Sequence, residues 1–134
     1  VTFNLPTVSA TARGVLSTGA DTIAGAKTFN SSVAIGAGTA ITKHLSATAS
    51  LDFTALAANT CEVLTIAVTG AVDGNVVALG LPNALIDVDG GTDRTLFDGW
   101  VSSADTVSVR RCNVTGTITA EPSAATVRAD VWQH

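Results

Sequence analysis

The chain has 134 residues, enough for one compact domain and a short arm, and it is rich in small apolar residues but only 4% aromatic. Seven basic residues against eleven acidic ones give a net charge of −4. The clustered Lys and Arg that bind phosphates are therefore missing, which excludes nucleic acid as a partner. The apolar runs are too short to span a membrane and no leader precedes them, so we expect a soluble chain without membrane insertion.

Residues 1–45 differ from the rest because glycine interrupts them repeatedly. A helical turn after Asp21 is opposed by Gly25 and by β-branched neighbours. Large apolar residues are too sparse here for a private core, since ordering the backbone costs roughly 1–2 kcal/mol per residue. An extended arm at 1–45 must therefore stay flexible, lie on the second domain, or bury its apolar residues against other copies of the chain, and we favour association with other copies. The arm residues assigned to this interface are Phe3, Leu5, Ile23 and Phe29.

From residue 46 onward, alternating strands separated by turns are predicted. The stretch 61–81 places two β-branched arms around the turn-forming residues 70–75, which predicts a β-hairpin. Further strands are expected in SATASLDF, in TLFDGWVSSA with a bend at Gly99, in DTVSVRRCNVTG and in ATVRADVW, and no helix is expected. Such spacing indicates an all-β fold, a small antiparallel β-sandwich of jelly-roll-like form over 46–134.

The two tryptophans are predicted to have different environments. Trp100 follows the expected bend and precedes a strand, so we assign it to the core, although an exposed Trp there would be a sugar-stacking platform or an interface anchor. In the last strand Val127, Ala129 and Val131 are predicted to face inward. Trp132 then faces outward and needs a partner, so we add it to the predicted interface between subunits.

Other polar residues give weaker patterns. Two cysteines, Cys61 and Cys112, admit one disulfide but form no disulfide framework, and we favour two reduced, partly buried thiols. The doublet Arg110-Arg111 is interpreted as a solvated strand face. His44 and His134 lack a nucleophile and an orienting partner, so no catalytic residue is assigned to this chain.

The acidic residues Asp87, Asp89, Asp93 and Asp98 suggest a calcium loop by their spacing. The pattern fails at the sixth position, where Thr92 replaces the required glycine, and no helices flank it. A solvated acidic loop is the preferred interpretation, and neither a metal nor another cofactor is predicted.

Several segments resemble bacteriophage proteins. Residues 11–29, TARGVLSTGADTIAGAKTF, resemble the linker repeat of tail fibres and receptor-binding proteins of tailed bacteriophages, where a phrase close to STG-x-x-TIAGAKTF leads into a distal domain. SATASLDF, VTGAVD and GWVSSADTVSV are similar to the terminal β domain of many such fibres. The resemblance implies a homotrimeric, β-rich virion protein with no enzymatic role, assembled in the host bacterial cytoplasm with other virion proteins. In that reducing compartment disulfides rarely persist, so no bridge is expected to be required for folding.

The resulting prediction is the distal, trimeric knob of a tail fibre, which binds a host-surface glycan or protein through exposed loops. The residues assigned to those loops are Asp73, Gly74, Asn75, Asp87, Asp89, Asp93 and Arg94. A long shaft, a coiled coil and a virion-attachment domain are lacking, so the chain is either a distal fragment or a short complete protein whose initiator Met was removed before Val1. If the chain is a short complete protein, an alternative prediction is a trimeric capsid decoration protein that stabilises the phage head. A glycan depolymerase ranks third, because paired carboxylates across a groove are not evident.

Overall fold

The computed structural model describes residues 26, 28–86 and 94–134. The chain forms two compact units, Val1–Asn30 and Ser31–His134, and every described strand belongs to the second. The predicted interface residues Phe3, Leu5 and Ile23 lie outside the described residues, as do the predicted loop residues Asp87, Asp89 and Asp93. Among the described residues, no helix has the length and apolar character needed to cross a membrane.

The described residues of the second unit form six strands and one helical turn. In chain order these are β1 Lys43–Leu51, β2 Cys61–Ala67, β3 Val76–Gly80, α1 Asn83–Ile86, β4 Thr95–Ser103, β5 Thr106–Asn113 and β6 Ala125–Gln133. The all-β prediction is confirmed, with the four-residue α1 as a small departure from the expectation of no helix. The first strand begins at Lys43, and a short bridge between Val33 and Ile41 precedes it.

The strands form two antiparallel three-stranded sheets, with the orders β1-β6-β3 and β2-β5-β4. The predicted β2–β3 hairpin is therefore wrong, because β2 pairs with β5 and β3 pairs with β6. The turn residues were recognised correctly, since Gly70 and Gly74 have φ values of 93° and 86°. However, Val68 and Ala71 are buried within this connection and hydrogen-bond to the backbone of Asp105, which fixes it as a crossing between sheets.

The two sheets share one apolar core. Its buried residues come from both sheets and from the connections: Leu51, Phe53, Ile66, Val68, Ala71, Leu85, Val101, Val107, Val109, Val127, Ala129 and Val131. The predicted inward face of the last strand is confirmed, since its Val127, Ala129 and Val131 are fully buried. Each buried Val contributes roughly 1.5–3 kcal/mol relative to an exposed one, so close packing of small side chains stabilises the fold.

Gly99 was predicted to bend β4, but the register of that strand shifts later, between Val101 and Ser103. The glycine faces β3 instead, and a Cβ atom at this position would lie 3.0 Å from the Cδ2 atom of Leu79. The lack of a side chain at Gly99 thus allows the second sheet to approach Leu79 of the first.

Two inward polar residues at the end of β5 hold the neighbouring loops. Arg111 is fully buried, and its guanidinium donates hydrogen bonds to the carbonyl oxygens of Thr54 and Ala120, at 2.9 and 3.2 Å. The Nδ2 atom of Asn113 donates to three carbonyl oxygens of the same loops, those of Leu56, Ala57 and Thr117. The interpretation of Arg111 as part of a solvated face is wrong, because the alternation that exposes Arg110 turns its neighbour inward.

The strand directions give the second unit two distinct ends. The entry end contains the start of β1, the 68–75 connection and the 104–105 turn, where the Nε2 atom of Gln133 donates to the Gly70 carbonyl. The far end contains the 52–60 and 114–124 loops and both ends of the connection from β3 to β4. The length of the strands therefore separates a ligand bound at one end from the loops at the other end.

Candidate binding surface

The loop residues predicted to bind a receptor are divided between the two ends. Asp73 and Gly74 are exposed at the entry end, whereas Arg94 is exposed at the far end. The side-chain oxygen of Asn75 accepts hydrogen bonds from the Val72 amide and the Gln133 side chain, both at 2.9 Å, so it already has partners. These loops do not combine into one surface.

On the first sheet, the outer face is occupied by its own polar network. Trp132 faces outward, as predicted, and stacks on His44 with ring centroids 4.1 Å apart. Asp130 contacts both the His44 ring, at 3.1 Å, and the Arg128 guanidinium, at 2.9 Å. A hydrogen bond from Ser46 and the positive charge of Arg128 lower the pKa of Asp130, against the opposing effect of burial. The Trp132 ring thus has a partner within its own chain.

The outer face of the second sheet presents Trp100, which the sequence placed in the core. This prediction is wrong, because the alternation of β4 turns Gly99 and Val101 inward and leaves Leu96, Asp98 and Trp100 outward. Trp100 retains 39% of its surface exposed and Leu96 retains 62%. Val63 of β2 is also exposed on this face. The sheet therefore exposes an aromatic and aliphatic surface on rigid strands.

A charged pair lies at the centre of this face. The Nε atom of Arg110 donates to Asp98 Oδ1 at 3.0 Å, and the Nη2 atom of Arg110 donates to Asp98 Oδ2. Together these two hydrogen bonds form a bidentate ion pair. The Arg110 guanidinium also lies over the Trp100 ring, 5.4 Å from its centroid. The hydrogen bond and charge of Asp98 raise the pKa of Arg110, so the arginine remains a cation. The pair brings both charges and the aromatic ring into one cluster.

Cys61 and Cys112 form a disulfide, so the prediction of two reduced thiols is wrong. The two residues are direct partners on β2 and β5, with Cα atoms 4.1 Å apart. The neighbouring Asn113 amide donates to the Thr60 carbonyl, which places the cysteines at the adjacent, closer-spaced position of the antiparallel ladder. A separation of 51 residues along the sequence gave no sign of this register.

The disulfide is part of an open groove that continues the face toward the far end. Its volume is about 460 Å³, and its lining is mainly apolar, from Leu96, Val114 and the disulfide. Its polar lining comes from Asn59, Asn113 and the Asp98–Arg110 pair. The groove and the Trp100 cluster together form the candidate surface, which we call the β2-β5-β4 face.

The sequence contained part of the signal for this face. The spacing of Asp98 suggests a calcium ligand, whereas its ion pair with Arg110 depends on the β4–β5 register. Within the described part of the chain, no three His, Cys, Asp or Glu side chains converge to hold a metal ion.

Comparison of the chain with protein-family models, with curated proteins and with solved structures finds no match.

Proposed function

We propose that the chain is the distal, trimeric β-sandwich knob of a tail fibre from a tailed bacteriophage, and that it attaches the virion to the host surface. The observation on which this proposal depends is the fibre-like linker phrase at 11–29, followed by an all-β domain. Resemblance to fibre proteins implies that such a phrase leads into a distal, receptor-binding domain. A rigid β scaffold with exposed loops and a grooved face suits that task.

The direction of the chain supports a distal role. The polypeptide enters β1 at the entry end, whereas the groove and the 52–60 and 114–124 loops lie toward the far end. Hydrogen bonds from Arg111 and Asn113 hold those loops in place. The loops beside the groove are thus preorganised, and they lie at the end of the domain opposite to the point where the chain enters it.

Exposed apolar residues before β1 support association of copies. Phe29 is 64% exposed and Ile35 is 79% exposed, and Val33 is also exposed. Burial of apolar area contributes roughly 25 cal/mol per Å², so covering three such side chains in every subunit favours an oligomer. A threefold arrangement is the one that the fibre resemblance implies.

The test compares the full chain with a variant lacking residues 1–30, which leaves the second unit entire. Light scattering should give a trimer mass for the full chain and a lower mass for the shortened one. Ile35→Ser should weaken the trimer, whereas Ile118→Ser, at a 69% exposed site in the far-end loop, should not. The full chain should also bind bacterial cells and compete with phage infection. A monomeric full chain would contradict the proposal.

A capsid decoration protein is the second candidate, and the exposed apolar residues of the candidate surface favour it. Leu96 and Val114 could make contacts with a capsid shell as readily as with a receptor, since large apolar patches mark protein interfaces. Binding of the chain to purified capsids, with a rise in their disruption temperature and no binding to cells, would favour decoration over adhesion.

A further inference from the structure

Building on the proposed adhesive function, we propose that the β2-β5-β4 face is a binding site for an uncharged saccharide. In this assignment Trp100 provides the stacking surface, and the Asp98–Arg110 pair provides the hydrogen bonds. The groove lined by Leu96 and the Cys61–Cys112 bond holds a neighbouring sugar ring.

The position of Trp100 suits stacking. The ring is held on a strand instead of a mobile loop, and its pairing partner on β5 is Ser108. The residue is 39% exposed although Arg110 lies over its ring, and a tryptophan in such a position loses little conformational freedom when it is covered. The C–H face of a pyranose ring is a flat apolar surface of complementary shape. Stacking of this kind needs no charge on the ligand.

The Asp98–Arg110 pair retains hydrogen-bonding capacity. Both side chains are about half exposed, at 50% and 45%. A carboxylate offers about four lone-pair sites and a guanidinium five N–H groups, and the mutual pair uses only two of each. Two adjacent sugar hydroxyls can therefore donate to Asp98 and accept from Arg110 at the same time. This combination of donors and acceptors is suited to a diol.

Charge distinguishes an uncharged saccharide from an anionic one. Asp98 neutralises Arg110 through two hydrogen bonds, and the outward residues of β2, namely Cys61, Val63 and Thr65, add no charge. A phosphate or carboxylate group placed beside Trp100 would have to displace Asp98 from Arg110, whereas an uncharged sugar binds without breaking that ion pair. From Leu96 to Trp100 the surface extends about 14 Å along the strand, which accommodates more than one ring.

The experiment titrates the full chain with maltotriose, chitotriose, mannotriose and neutral bacterial O-antigen fragments, and with sialyllactose as the anionic comparison. Tryptophan fluorescence is followed in a Trp132→Phe background, so that the signal reports Trp100 alone. At least one neutral probe should bind, and sialyllactose should not. Affinities of the Trp100 variants, which lack this fluorescence signal, are measured by isothermal titration calorimetry against the parent chain. Trp100→Ala should weaken that binding about tenfold or more, and Trp100→Phe should restore most of it. Val76→Ala, at a 57% exposed site on the outer face of the other sheet, is the matched control.

Three outcomes would overturn the assignment. One is a failure of every neutral probe to bind, and another is binding that survives Trp100→Ala unchanged. The third is protection of Trp100 from iodide quenching in the native oligomer, which would make the face a contact between copies. Cell binding that persists in Trp100→Ala would show that adhesion does not depend on this site and would leave the adhesive function to another surface. Saccharide binding without cell binding would retain the site and contradict the adhesive function.

Discussion

Reduction of the Cys61–Cys112 bond is expected to destabilise the domain strongly. The bond closes a chain segment with a sequence separation of 51. Closing a loop of that length restricts the denatured chain by about 4 kcal/mol in the chain-entropy description. Folded domains are stable by only about 5–15 kcal/mol, so this loss is a large fraction of the total.

The folded state should change little when the bond is absent. The β2–β5 ladder continues through six further residue pairs beyond the cysteines, and Arg111 and Asn113 hold the adjacent loops by separate hydrogen bonds. The double variant Cys61→Ala/Cys112→Ala should therefore still fold. Most of its loss arises in the denatured ensemble, which becomes free to expand.

The assay is guanidinium denaturation at one fixed protein concentration, because association would otherwise change the apparent stability. The oxidised chain, the chain in reductant and the double variant are compared. The latter two should agree within about 1 kcal/mol and should unfold at lower denaturant than the oxidised chain. The double variant, as the control, should not respond to reductant. An unchanged midpoint after the bond is shown by mass spectrometry to be broken would refute the loop-closure reasoning.

Three further substitutions, two of them with a matched control, test the polar and backbone features of the fold. Arg111→Met should cost about 3 kcal/mol in urea unfolding because it removes the hydrogen bonds that the buried guanidinium donates to the Thr54 and Ala120 carbonyl oxygens, whereas Arg110→Met, at the exposed neighbour, should cost less than about 1 kcal/mol. Gly70→Ala should lower the thermal midpoint by the equivalent of about 1–2 kcal/mol because φ is 93° there, and Gly116→Ala, with no neighbouring atom in its way, should be nearly neutral. The lowered pKa of Asp130 stabilises the folded state above about pH 4, and this contribution is lost as pH falls through the folded-state value. Asp130→Asn should thus be less stable than the parent at pH 7, and the difference should shrink in unfolding measurements below pH 4; a constant difference would contradict the assignment.

Strand identity was predictable from local alternation. The inward set of β6 and the buried Val107 and Val109 of β5 follow from the two-residue period of a strand with one face against the core. The same rule, applied to β4, would have placed Trp100 outside. The prediction failed there because an assumed bend at Gly99 interrupted the count, although the glycine serves close packing against Leu79.

Strand pairing was not predictable, because hydrogen bonds between strands join residues that are distant in sequence. The turn residues at 70–75 favoured a hairpin. The chain instead crosses from one sheet to the other there, because Val68 and Ala71 are buried in the common core. The bond between Cys61 and Cys112 and the ion pair between Asp98 and Arg110 both follow from the β2-β5-β4 register. The candidate face exists only once those registers are set.

The sequence by itself determined an all-β domain, because composition and alternation are local properties. A separate N-terminal arm and the resemblance to phage fibres are predictions from the same local patterns. The tertiary structure decided which residues share a surface. It divided the predicted loops between opposite ends and brought Asp98, Trp100 and Arg110 together. It also buried Arg111 while leaving its neighbour exposed. These outcomes depend on packing two sheets over one core, and the energy of that packing comes from contacts between segments that are remote along the chain.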